Sequence, residues 1–131
     1  MFSHVAFELN GRILDSYPYI GVKLHDKPHG QYYGIAVYRL SVSEETQEKV
    51  WDCALKEVGK QYDWPGIAGV VSMREIQDPD KWFCSELCAA MLRKGGVAIG
   101  GDVPAWKITP NGLAQMGIPE LFKLDSLISG T

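Results

Sequence analysis

The sequence predicts an α+β fold, a small antiparallel sheet packed against helices. Three observations lead there. β-rich segments flank Asn10-Gly11 near the amino terminus, a helical apolar stripe follows Ser43, and a second apolar run starts at Cys84 and stops at Gly95-Gly96.

Phe2 to Leu9 and Arg12 to Tyr17 read as two strands, because Asn10-Gly11 suits the two-residue type I′ turn of a hairpin. With those two residues as the turn, Leu9 faces Arg12, Ala6 faces Asp15 and His4 faces Tyr17. His4, Ala6, Asp15 and Tyr17 then share one sheet face, and His4 and Asp15 become diagonal neighbours. A diagonal span of about 7–8 Å is within reach of an imidazole–carboxylate hydrogen bond.

Gly21 to Leu24 reads as a short strand, Pro28 to Gln31 as a loop, and Tyr33 to Leu40 as an alternating strand with Ile35, Val37 and Arg39 on one face. Ser43 caps a helix with Glu44 and Glu45 in its first turn, where negative charge complements the dipole. Its rows Val50, Ala54, Val58 and Trp51, Leu55 form the expected buried stripe before Gly59. Pro65, Gly66, Gly69 and Pro79 punctuate the next stretch, so a loop or short helix around Ile67 to Met73 is expected. After the Cys84 helix, Thr109-Pro110 starts a capped helix that closes at Gly117, and a last strand covers Leu121 to Leu124.

The 131 residues, 46% hydrophobic and 22% charged, fit a single domain over 1–131 with its own core. A net charge of −3 with no run of like charges gives no electrostatic footprint for nucleic acid. No segment approaches the roughly 20 apolar residues of a membrane span. Three cysteines, without a disulfide-scaffold composition, suggest free thiols. The start, Met1-Phe2-Ser3-His4, carries no basic leader or apolar h-region, so cytoplasmic synthesis is expected; later delivery to the cell envelope by lysis, a phage particle or a secretion machine would leave the same signature.

Cys84 is the chemical focus. A thiol at a helix start faces unpaired N–H groups and about half a positive charge, which can lower a cysteine pKa from about 8.5 to about 3.5–7.5. Such a nucleophile needs a base, and the base an orienting group. His4 and Asp15 are the pair that the hairpin register supplies.

Ser3-His4-Val5-Ala6-Phe7, Ile13-Leu14-Asp15-Ser16 followed by Gly21-Val22, Gly59-Lys60-Gln61-Tyr62-Asp63-Trp64 and Lys81-Trp82-Phe83-Cys84-Ser85-Glu86-Leu87 resemble the permuted papain-like branch of the NlpC/P60 superfamily. That branch includes YiiX-like hydrolases and, more distantly, lecithin:retinol acyltransferase-type proteins. The resemblance extends to Thr109-Pro110-Asn111-Gly112-Leu113 and implies a circularly permuted papain-like fold, with the histidine strand before the cysteine helix. It implies catalytic roles for Cys84 and His4, and matches Asp15 to the family's polar orienting position, with Ser16 as a competitor. It also implies a thioester mechanism on an amide bond, most commonly in peptidoglycan peptides, with no cofactor and a peptide or acyl substrate. Tyr62 would be an oxyanion-side or pocket residue. By residue type Trp51, Trp64, Trp82 and Trp106 read mostly as packing residues, with Trp64 and Trp82, which flank the motifs, as alternative walls of the substrate cleft.

Each residue has a structural alternative: a core histidine, a solvated strand-end carboxylate, a buried tyrosine with its hydroxyl satisfied. Ser85 and Glu86 read as ordinary helix-start residues. His25 and His29 read as loop histidines, since Pro28 disfavours a regular helix and no third metal ligand is in sight. Cys53 and Cys88 read as core. Two other functions remain open: acyl transfer or thioester and lipid-amide hydrolysis, and a non-catalytic binding or structural module of a phage or secretion system.

Overall fold

A computed structural model describes residues 4–26, 34–62 and 81–129. The expectations for Phe2, for the loop from Pro28 to Gln31, for His29, for Trp64 and for the segment Ile67 to Met73 lie outside the described residues.

Strands β1 (Phe7–Leu9), β2 (Arg12–Tyr17) and β3 (Gly21–His25) form an antiparallel sheet with β2 in the centre. β4 (Gly34–Leu40) is followed by helix α1 (Glu44–Leu55), the short parallel pair β5 (Gln61–Tyr62) and β6 (Lys81–Trp82), and helix α2 (Cys84–Lys94). A 3-10 turn (Ala105–Lys107), helix α3 (Pro110–Gly117) and strand β7 (Phe122–Ser129) complete the order. β7 pairs antiparallel with β4 in a second, two-stranded sheet. The described part of the chain is therefore α+β, with antiparallel strands and helices.

The first hairpin forms in the expected register, Leu9 opposite Arg12 and Phe7 opposite Leu14. Asn10 and Gly11 take φ of 52° and 82°, the two left-handed conformations that a type I′ turn requires. The regular strand nevertheless starts at Phe7, so His4 lies in the extended lead-in to β1. The last strand is longer than Leu121 to Leu124, because β4 offers seven residues to pair with.

α1 is capped as its sequence implies, the Ser43 hydroxyl accepting from Thr46 N at 3.1 Å. Only part of its expected stripe is buried: Val50 and Ala54 lie in the core, whereas Leu55 and Val58 are exposed. The helix ends at Leu55, so Val58 falls in the following turn and leaves the 3.6-residue row.

The core joins Leu14 and Val22 from the first sheet to Val50 and Ala54 of α1, Leu87, Met91 and Leu92 of α2, and Leu113 of α3. Leu14, Asp15 and Ser16 are consecutive and all buried, so both faces of β2 are covered. A buried carboxylate there must find hydrogen-bond donors.

Gly21 is fixed by two constraints at once. Its φ is +81°, and a Cβ built on it would meet the Lys60 carbonyl oxygen at 2.3 Å, where Val22 N also bonds Lys60 O at 2.8 Å. Gly21→Ala is expected to destabilise by ~2–3 kcal/mol, combining left-handed strain with a clash against rigid backbone. Urea unfolding checks this, and a loss under ~0.5 kcal/mol would show that the β3 turn relaxes freely.

Candidate active site

The site is built on the centre of the first sheet and the start of α2. α2 places Cys84 at its first helical position, after Phe83 as N-cap. Among the described residues, no side-chain cap hydrogen bond is made at that end. Arg93 and Lys94 occupy the last turn, where positive charge complements the dipole. Ser85 donates to Ile108 O at 2.5 Å, which ties the start of α2 to the chain before α3, and Glu86 is buried in the first turn.

His4, just upstream of β1, donates from Nε2 to Asp15 Oδ2 at 2.7 Å. The hairpin register brings them together, and the His4 ring packs edge-on to Tyr17 with centroids 5.3 Å apart. His4 also hydrogen-bonds the Cys84 side chain. Cys84, His4 and Asp15 thus form one hydrogen-bonded series.

Burial alone would push the His4 pKa down; the hydrogen bonds to Asp15 and Cys84 overcome it and raise the group from 6.5 to about 9. Burial likewise opposes ionisation of Asp15, but its bonds to His4 and His25 hold the carboxyl below the ordinary 3.8. The Asp15 side chain is 2% exposed and that of His4 15%, so neither interaction is diluted by bulk water. Cys84 is buried at 5% exposure.

Asp15 has a second imidazole. His25, at the end of β3, approaches Oδ1 through Nε2 at 2.8 Å. The expectation of a loop histidine is corrected here: β3 runs one residue beyond Leu24, and its register sets Lys23 opposite Asp15 and Ile13 opposite His25. His25 is therefore diagonal to Asp15 on the other flank of β2, the relation His4 has on the first. Registering the Tyr17–Gly21 turn as well as the Asn10-Gly11 turn would have found it.

Ser16, the competitor of Asp15, faces away, and its hydroxyl donates to the Trp82 carbonyl. The Trp82 indole N–H donates to Glu57 at 3.2 Å and the ring packs on the core, because the buried Glu57 beside Lys60 supplies an acceptor there. Tyr62 lines a small hollow with Tyr19, Ile20 and Gln61, and its backbone pairs with Trp82, two residues before Cys84.

His4 and Asp15 line a cavity of about 830 Å³ together with apolar side chains that include Phe7, Val37, Trp51 and Phe122. From α2 it is Cys88 and Leu92 that line it. Burial, then the charges of Cys84 and Asp15, pushes the Cys88 thiol well up, which leaves it a protonated core residue. All three cysteines are free. Among the described residues, no group of three or more His, Cys, Asp or Glu is arranged to hold a metal ion, and no helix is long and apolar enough to cross a membrane. Comparison with family models, curated proteins and solved structures finds no match to this chain.

Proposed function

We propose that this chain is a cysteine hydrolase of the permuted papain-like type, cleaving an amide bond through a thioester. One observation carries the proposal: a helix-start thiol and a buried carboxylate both act on the same imidazole, with His4 Nε2 2.7 Å from Asp15. Cys–His–acid connectivity of this kind activates a sulfur nucleophile and orients its base.

The proton that the thiol and His4 share rests on the imidazole as the sulfur attacks the amide carbonyl. The backbone N–H of Cys84, at the helix start, stabilises the developing oxyanion, an interaction typically worth about 3–4 kcal/mol per donor. Collapse expels the amine, which takes its proton from the His4 imidazolium. Water then attacks the thioester as His4 accepts its proton, which releases the acid and restores the thiol.

The resemblance to peptidoglycan-cleaving relatives makes stem or cross-link peptides the first substrate. Acyl transfer or hydrolysis of an acyl amide or thioester is the second reading, favoured by the apolar cavity that His4 and Asp15 border. Mass spectrometry of purified peptidoglycan fragments after incubation with the wild type and with Cys84→Ala separates them. New stem-peptide products are expected with the wild type alone. Products formed only from acyl donors would move the assignment to the second reading. No product from either, with an ordinary thiol reactivity profile, would leave a binding module.

A further inference from the structure

A carboxylate held by one hydrogen bond is not oriented. The terminal torsion of an aspartate is broad, and a single donor leaves the second oxygen free to swing the group about the Cβ–Cγ bond. Asp15 is held by two. His4 Nε2 meets Oδ2 at 2.7 Å from the β1 side and His25 Nε2 meets Oδ1 at 2.8 Å from the β3 side, around a side chain with almost no access to water.

We infer that His25 is a positioning residue: by donating to Oδ1 it locks the carboxylate plane of Asp15, so that Oδ2 is presented in line to His4 and the His4 ring to Cys84. Its proposed effect on the thiol runs through Asp15, which it meets at 2.8 Å. Its effect on catalysis rests on the proposed function, whereas its effect on His4 does not.

The other titratable groups around the pair are few. The thiols of Cys84 and Cys88 lie on α2, with Asp15 acting on Cys88 through its charge, and Lys23 is the exposed register partner of Asp15 on β3. Tyr17 packs on His4 as a ring edge. Among the described residues, these leave His25 as the group that bonds the far oxygen of Asp15.

The test compares His25→Phe, which keeps a planar ring without the donor, with His25→Gln, whose side-chain amide restores an N–H near the Nε2 position. Each is made in the wild type and in Asp15→Ala. His4 is followed by ring-nitrogen NMR across pH, and Cys84 by peptide-resolved alkylation with iodoacetamide at pH 6; circular dichroism reports folding. In His25→Phe the His4 midpoint is expected to fall by about one pH unit or more and alkylation by about tenfold. Glutamine should recover most of both. In the Asp15→Ala background the phenylalanine change should alter neither, since residues that act through one another are not additive.

An unchanged His4 titration in folded His25→Phe overturns the proposal, as does an equal loss without Asp15 or a glutamine variant no better than phenylalanine. Should His25→Phe not fold, His25→Leu carries the same comparison. A wild-type thiol of ordinary reactivity, with His4 still responding to His25→Phe, would sink the hydrolase and leave the positioning role standing.

Discussion

His4→Ala is expected to cut the proposed hydrolysis by orders of magnitude and to slow alkylation of Cys84. In the wild type, burial lowers the His4 pKa, but the bonds to Asp15 and Cys84 carry it to about 9, so the ring is an imidazolium at neutral pH; in general a cation beside a cysteine favours the reactive, anionic sulfur. Without it, the sulfur loses its cationic partner and its proton acceptor together. An ordinary free thiol is less than about 1% ionised at pH 6. Alkylation of Cys84 by iodoacetamide at pH 6 should therefore fall by about 10–10²-fold in the variant, the smaller figure reflecting the weaker intrinsic nucleophilicity of a stabilised thiolate. The difference should narrow toward pH 9, where an ordinary thiol ionises unaided. Hydrolysis should fall by about 10²–10⁴-fold, the usual contribution of a general acid–base.

The same pair predicts different pH limits for the two reactions. Amide cleavage needs the imidazolium to protonate the leaving amine, so its alkaline limb should lie near 9, where His4 loses its proton. Alkylation has no leaving amine and should show no such limb. Equal alkylation of wild type and His4→Ala at pH 6 would remove His4 from the chemistry.

Much of this geometry was legible in the residues. Asn10-Gly11 fixes the turn, the turn fixes the register, and the register alone brings His4 beside Asp15 and Tyr17. Local chemistry sufficed because the two partners are eleven residues apart on one hairpin. Cys84 was legible as a helix start from the apolar run that follows it, but its meeting with His4 depends on how α2 packs against the sheet, which periodicity does not encode.

His25 was missed for a definable reason. Pro28, three residues on, and the lack of a third metal ligand read His25 as a loop residue, while the second hairpin, closed by Pro18-Tyr19-Ile20, has no two-residue turn to announce its register. The packing reading of Trp82 fits its place against the core, where its indole N–H finds Glu57 at 3.2 Å. Val58 was misread by continuing a helical row beyond Leu55, where α1 ends.

The largest stability effect should come from Asp15, and it should depend on pH from both sides. The His4 pKa is raised in the folded chain, so its contribution is fully present below 6.5 and is lost as pH rises through about 9. The Asp15 pKa is lowered, so its contribution is present above 3.8 and is lost as pH falls through its lower folded value. Both are complete between about pH 4 and 6.5. At 1.36 kcal/mol per unit, the His4 shift alone corresponds to a stabilisation on the order of 3 kcal/mol. Asp15→Ala deletes the acceptor of two imidazoles at once and should cost ~3–5 kcal/mol at pH 5.5, a loss typical of breaking a buried charged pair. The cost should shrink by about half at pH 10, where wild-type His4 is neutral and donates to the carboxylate as an uncharged partner. Asp15→Asn should cost less at pH 5.5, since one amide oxygen still accepts, and should bring His4 back toward 6.5. Urea unfolding at the two pH values measures both variants. A cost for Asp15→Ala that is the same at pH 5.5 and pH 10 would mean that the carboxylate holds the fold by shape and hydrogen bonding alone, without charging the imidazole beside it.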